Sequence, residues 1–170
     1  FFFTLVPVGS DDIMQRSLKK RGEQGCLFNS PFGDFWDVVT PDSGQSSADI
    51  AKALSSYKVA FLAGTYRKED LKTDALVDYV KGGGTLVLSS DRLADGLFPP
   101  EVAGVFFKTG TAASGKSLVC AKTGECVSAL SAPHKWTLAG EGTTAEVLLT
   151  DDLGTPVVYT KKCGKGRVIT

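Results

Sequence analysis

The chain has 170 residues, a length that suits one domain with a sizeable core. It carries 19 Lys plus Arg and 19 Asp plus Glu, and this zero net charge argues against nucleic acid or an anionic membrane as the main partner. No apolar run approaches the ~20 residues of a membrane-spanning helix. The chain begins without Met inside an apolar stretch and stops in a predicted strand, so we expect residues 1–170 to be a single domain from a longer polypeptide.

Strands and helices alternate through the first half of the sequence. Short apolar runs predict strands over residues 1–8, 35–40, 59–63 and 85–88. The segments between them carry apolar residues at helical spacing or end at helix-stop signals. This β-α-β-α-β-α-β order predicts a parallel sheet with right-handed crossovers and helices on both faces.

Three helices are predicted between these strands. The first follows a cap at Ser10. The second begins at Ser46 or Ser47, whose hydroxyl caps it, and the sequence leaves open which serine does so. The third begins near Glu69 and ends at the glycines 82–84, which allow the chain to leave the helix in a left-handed conformation.

The second half of the chain predicts antiparallel hairpins. Asp151 to Gly154 separates two apolar runs, 147–150 and 156–160, as a hairpin loop does. A further turn at Lys165-Gly166 leads into a last strand over 167–169. The expected fold class is therefore α/β, with the parallel sheet extended by antiparallel hairpins in the C-terminal third.

The sequence contains four cysteines, which allow three pairings: Cys26, Cys120, Cys126 and Cys163. Residues 119–127 predict a hairpin with a three-residue loop that places Cys120 opposite Cys126, and Cys26 and Cys163 would then pair by elimination. Two disulfides predict a secreted or cell-surface protein. Four reduced cysteines in a cytosolic protein are the alternative, and a zinc site lacks both a C-x-x-C motif and a second histidine.

A phosphate-loop pattern, G-x-x-x-x-G-K-S, runs from residue 110 to residue 117. Its four defining residues are Gly110, Gly115, Lys116 and Ser117. In a nucleotide-binding domain the loop amides and the lysine hold the phosphates, and a helix follows. Here the next segment predicts a hairpin, so the competing interpretation is a surface loop that ends in an exposed lysine.

Polar residues follow three of the predicted parallel strands, at the sheet edge where open α/β sheets bind ligands. These residues are Asp11, Arg67, Ser89, Ser90, Asp91 and Arg92. They predict a crevice for a small ligand or a sugar. The competing interpretation assigns them to helix caps and salt bridges.

Two pairs of segments resemble a known family. They are residues 57–64 with 76–88, and residues 154–158 with 164–169. Together they look like the class I glutamine amidotransferase-like superfamily, and in particular its non-catalytic branch, typified by the trimerisation domain of bacterial β-galactosidases. The resemblance implies a three-layer, flavodoxin-like fold with helices on both faces of the sheet.

Catalytic members of that superfamily carry a nucleophilic cysteine on a sharp turn after the strand that matches residues 85–88, together with a His-x-Glu pair. Here the turn begins Ser89-Ser90, and His134 is followed by Lys135-Trp136. The resemblance therefore implies a non-enzymatic structural or association domain of a larger secreted protein, such as a glycoside hydrolase, with no cofactor or metal. Its partners would be other domains of the same chain or copies of itself. The alternatives are a nucleotide-binding domain, a carbohydrate-binding module and a hydrolase that uses Ser90 and His134.

Overall fold

The computed structural model describes residues 2–5, 36–39, 46–62, 72–94, 96–111, 115–130, 132 and 136–170. The strands in these residues are β1 Phe2–Leu5, β2 Trp36–Val39, β3 Val59–Leu62, β4 Thr85–Leu88, β5 Phe107–Thr111, β6 Ser117–Cys120, β7 Cys126–Ala129, β8 Thr137–Ala139, β9 Glu146–Asp151, β10 Pro156–Cys163 and β11 Gly166–Ile169. The helices are α1 Ser47–Leu54, α2 Thr73–Gly82, α3 Ser90–Ala94 and α4 Pro100–Ala103. None of them has the length and apolarity that a bilayer crossing requires.

Nine of the strands form one sheet in the order β2-β1-β3-β4-β11-β10-β9-β6-β7, and β5 pairs with β8 separately. The pairs β1–β2, β1–β3, β3–β4 and β4–β11 are parallel. The pairs from β11 onwards to β7 are antiparallel. The predicted α/β class, with a parallel first half and antiparallel hairpins later in the chain, is confirmed.

Helix α1 begins at the first of the two candidate serines. The hydroxyl of Ser46 accepts a hydrogen bond from the Asp49 amide at 3.2 Å, and the Asp49 carboxylate accepts one from the Ser46 amide at 3.3 Å. This reciprocal pair satisfies two amides that the first helical turn leaves without a partner. The helix buries Ile50 and Leu54 against the sheet.

Among the described residues, the core lies on one face of the sheet. The buried strand residues on that face are Ala60, Leu62, Leu86, Leu88 and Val168. All four helices contribute to the same core, with Ile50, Leu76, Leu93 and Ala103 among the buried residues. The opposite face carries Val59, Phe61 and Val87, which are only half-buried.

The sequence predicts helices on both faces of the sheet. The described helices contribute to the core on one face, and a layer on the other face stays a prediction. The first predicted helix, after Ser10, lies outside the described residues, and so does the predicted start of the third helix at Glu69. Within the described part of the chain, α2 runs from Thr73 to Gly82.

The two glycine motifs of the sequence meet in the fold. The C-cap of helix α2 is Gly83, whose φ of +127° favours glycine. The amide of Lys165 donates to the Lys81 carbonyl at 3.0 Å, and the amide of Arg167 donates to the Gly84 carbonyl at 3.2 Å. A Cβ on Gly166 would overlap that Gly84 oxygen. Glycine is therefore required where the end of α2 packs against the start of β11.

Candidate functional site

The predicted strand-end crevice is described at the end of β4. Ser89 is exposed there, and Ser90 opens α3. The carbonyl oxygen of Arg92 accepts hydrogen bonds from the amides of Leu97 and Phe98, at 3.0 and 3.1 Å, so this residue also holds the chain as it leaves α3. The backbone of Asp91 lies in α3 as well.

Asp11 and Arg67, the other two members of the predicted crevice, lie outside the described residues, and so does His134. The described geometry therefore does not show whether the six crevice residues come together. A ligand site at this edge of the sheet, and a pairing of Ser90 with His134, stay predictions.

The described residues give the phosphate-loop motif a context unlike that of a nucleotide-binding loop. Ser117 begins strand β6, where a nucleotide-binding loop would be followed by a helix. The loop amides that would hold a phosphate are also occupied by carboxylates. Gly115 donates its amide to Asp151 at 3.2 Å, and Lys116 donates its amide to Asp152 at 2.8 Å. Gly110 lies at a φ of +134° within β5, on the far side of residues 112–114.

Asp151 is the buried carboxylate that organises this loop, with 1% of its surface exposed. Besides the Gly115 amide, it accepts hydrogen bonds from the amides of Leu153 at 3.0 Å and Thr155 at 2.7 Å. A Cβ on Gly115 would overlap the two aspartates, which explains the glycine without any phosphate. Gly115 and Lys116 of the sequence motif thus bind the β9–β10 turn.

The predicted disulfide between Cys120 and Cys126 is absent, and the thiols of Cys120, Cys126 and Cys163 are free. The predicted register of the hairpin is also wrong. Val119, not Cys120, pairs with Cys126, because a bulge shifts the register between Leu118 and Val119. A shift of one residue places neighbouring side chains on opposite faces of a strand, so the two thiols do not face each other.

Cys26 lies outside the described residues, and its predicted bridge to Cys163 finds no support in the free thiol of Cys163. The pKa of the Cys120 thiol is lowered, chiefly by a hydrogen bond from the Thr123 hydroxyl and further by the amides of Thr123 and Lys122. This side chain is half-buried in the turn of the hairpin.

One groove of about 360 Å³ lies between α1, α2 and the starts of β3 and β4. Its wall includes Tyr79, whose hydroxyl donates to the carbonyl oxygens of Tyr57 at 3.2 Å and Thr85 at 3.4 Å. Burial raises the pKa of Tyr79 to about 12, because the phenolate would lose its hydration. Asp78 and Lys58 are the charged residues of its described lining.

A second groove, of about 380 Å³, lies across β9, β10 and β11, and we call it the basic groove. Its described lining consists of Thr144, Glu146, Thr160, Lys161, Lys162 and Arg167. Lys162 and Arg167 are directly opposite each other in the antiparallel β10–β11 pair. In the next strand of the sheet, Thr85 of β4 is level with Arg167. The groove therefore lies near the start of β4, away from the strand ends where the sequence predicts a crevice.

The described lining of the basic groove has more positive than negative side chains. Glu146 is its one described carboxylate, and this group pairs with Lys122 at 2.8 Å. The Lys122 ammonium holds the pKa of Glu146 below its usual value, first by a hydrogen bond and then by its charge, and Lys162 adds a smaller effect. The ammonium of Lys161 donates to the hydroxyl of Thr144. No motif in the sequence predicts this groove, and the adjacent pair Lys161-Lys162 is its local signal.

No protein-family model matches the sequence, and no curated protein matches it either. Among solved structures, the fold is similar to that of a ThuA-like protein from Bacteroides uniformis, with a TM-score of 0.54 and 16% identity over 99% of this chain and 80% of that one. The cytoplasmic protein STM1381 from Salmonella typhimurium gives a TM-score of 0.51 and 13% identity over 99% of this chain and 86% of that one.

A third similar structure is Gan42B, a GH42 β-galactosidase from G. stearothermophilus, with a TM-score of 0.50 and 16% identity. The match covers 99% of this chain, which spans 26% of that enzyme's length. At these identities the similarity is one of fold. The predicted resemblance to the amidotransferase-like superfamily is therefore supported at the level of the fold.

Proposed function

We propose that the chain is a non-catalytic structural or association domain of a larger protein, and that this protein is a glycoside hydrolase. The observation that carries the proposal is the turn after β4. There the resemblance places the nucleophilic cysteine of catalytic relatives, and this chain has Ser89-Ser90. Ser90 begins helix α3, and no glycine flanks the turn to relieve a strained nucleophile.

The fold comparison supports the parent that we propose. The chain spans 26% of a protein described as a GH42 β-galactosidase, so a domain of this fold occurs as one part of a longer carbohydrate-active chain. Fold does not imply function, so the parent and its substrate belong to the proposal.

The proposal includes a three-layer, flavodoxin-like arrangement with a second layer of helices. Val59, Phe61, Val87 and Ile169 support it, because they give the face of the sheet opposite the core an apolar character that a second layer would bury. Secretion stays a prediction from the cysteine count. The free thiols of Cys120, Cys126 and Cys163 lend it no support.

The mass of the polypeptide in its source tests the proposal directly. We expect the reduced, denatured chain to be far heavier than 18.0 kDa, with peptides that map beyond Phe1 and Thr170 to a glycosidase domain. A mass near 18.0 kDa would remove the accessory-domain proposal.

Enzyme assays test the non-catalytic part of the proposal. Amidase and esterase substrates should show no turnover above background, and Ser90→Ala should change nothing. A rate in the unaltered protein that disappears in Ser90→Ala, with Ser89→Ala as the neighbouring control, would establish a hydrolase instead.

A further inference from the structure

The basic groove places two like charges side by side. Lys162 and Arg167 are cross-strand partners, and side chains in such a pair have Cβ atoms about 4.5–5.5 Å apart. Like charges at this distance destabilise a sheet. The protein as a whole has no net charge, with 19 basic and 19 acidic residues, so the clustering is local.

The neighbouring carboxylate offsets this pair only in part. Glu146 is engaged at 2.8 Å by Lys122, which does not line the groove, and Lys162 has a smaller effect than Lys122 on the pKa of Glu146. Lys161 also lines the groove, but neighbouring residues of a strand point to opposite faces, and the side chain of Lys161 lies beside Gly104. Two strands thus bring two facing cations, Lys162 and Arg167, to one concavity, and the main partner of its one described carboxylate is Lys122.

The groove also has hydrogen-bonding groups suited to a ligand. The Thr144 hydroxyl accepts a hydrogen bond from the Lys161 ammonium, which leaves the hydroxyl proton free to be donated. The Thr160 hydroxyl donates to the Val168 carbonyl at 3.2 Å, which leaves an oxygen lone pair as an acceptor. The volume of about 380 Å³ falls in the range of small-molecule sites.

We propose that the basic groove binds a small anion through a phosphate or carboxylate group. Arg167 presents the planar fork that matches the oxygens of either group, and Lys162 supplies further charge. Thr144 and Thr160 contact the polar remainder of the ligand. Binding relieves the repulsion between Lys162 and Arg167, so the anion also stabilises the fold. This site is independent of the parent protein proposed above.

Titration of the full chain with three probes tests the proposal. The probes are inorganic phosphate, glucose 6-phosphate and glucuronate, with ionic strength held constant by sodium chloride. We expect a saturable rise in melting temperature and a dissociation constant of about 1 mM. Tightest binding by inorganic phosphate identifies a free oxyanion as the ligand, and tighter binding by either sugar identifies a sugar-borne acid.

Charge-neutral variants locate the site. Lys162→Gln and Arg167→Gln should each weaken binding at least tenfold. The control Lys165→Gln removes an exposed lysine from the neighbouring turn and should leave binding unchanged. Without any ligand and at low salt, Lys162→Gln should raise the melting temperature, because it removes the repulsion across β10 and β11.

Four results would overturn the proposal. The first is no saturable shift in the unaltered chain. The second is an equal shift with chloride alone, which indicates general screening. The third is a loss of binding that is as large in Lys165→Gln as in Arg167→Gln. A lower melting temperature of ligand-free Lys162→Gln would likewise contradict the repulsion on which the site is argued.

Discussion

Single glycines decide how α2 packs against β11. In Gly84→Ala the new methyl group would overlap the ring of Tyr79, and in Gly166→Ala it would overlap the backbone oxygens of Val80 and Gly84. We expect each change to lower the free energy of unfolding by about 1–3 kcal/mol, the usual cost of overpacking, with Gly166→Ala the worse because backbone atoms must move. Urea unfolding followed by circular dichroism measures both.

The matched control is Gly82→Ala at the last residue of α2. No atom lies within 4 Å of its added Cβ, and its φ is not positive. Alanine should be neutral there or stabilise the helix by up to about 1 kcal/mol. Similar losses at residues 82, 84 and 166 would contradict the packing described for the two glycine motifs.

Ionisation of Tyr79 should lower the stability of the protein at high pH. Its pKa is about 12 in the folded chain and about 10 in an unfolded one, so the unfolded state loses the proton first. The contribution of Tyr79 is therefore complete below pH ~10 and is lost as the pH rises towards 12. In Tyr79→Phe we expect a shallower decline in this window.

The same variant should lose about 1 kcal/mol near neutral pH, because its hydroxyl no longer bonds the carbonyls of Tyr57 and Thr85. Burial also raises the pKa of Tyr159, so Tyr159→Phe is the comparison that separates the two phenols. Denaturant midpoints measured from pH 8 to 12 give the slopes. Identical slopes in the unaltered chain and Tyr79→Phe would contradict the assignment.

Helix α1 depends on the cap that opens it. Ser46→Ala removes the acceptor of the Asp49 amide and should cost about 1 kcal/mol of unfolding free energy. Ser47→Ala is the matched control, because Ser47 is an exposed first helical residue. A larger loss of unfolding free energy in Ser47→Ala than in Ser46→Ala would show that Ser47 is the cap instead.

The cap also has a pH dependence that can be checked on the same variants. Hydrogen bonds from Ser46 lower the pKa of Asp49 in the folded chain. A lowered folded pKa means that the stabilisation is complete above the unfolded value and disappears as the pH falls through the folded one. The difference in unfolding free energy between Ser46→Ala and the unaltered chain should therefore become smaller at acidic pH.

The whole sheet depends on its last strand. Among the described strands, β11 lies between β4 and β10 and joins the parallel half to the antiparallel half. A chain truncated after Cys163 loses this strand and the buried Val168, so we expect it to lose its cooperative unfolding transition. Leu153→Ser, at the exposed tip of the β9–β10 turn, is the control and should unfold normally. A cooperative transition in the truncated chain would show that the two halves fold separately.

Local patterns predicted the elements well where one segment contains its own signal. Apolar runs located β3 and β4, and the glycines after α2 located the end of that helix, because burial and positive φ act on consecutive residues. The register of the β6–β7 hairpin was not predictable in the same way. A bulge adds one extra residue within one strand of the pair, and the alternation of apolar and polar residues does not indicate where it occurs.

The alternation of strands and helices, the glycines that end α2 and the lack of a cysteine after β4 are properties of consecutive residues, and the sequence alone carried them. Three features could be found only in the folded structure: the contacts of Gly115 and Lys116 with the β9–β10 turn, the central position of β11, and the basic groove. Each of these features brings together residues that are far apart in the sequence. For example, Asp151 accepts a hydrogen bond from the Gly115 amide, and β11 pairs in parallel with β4. Such contacts are fixed by which strands become neighbours, and no short-range period of the sequence encodes that choice.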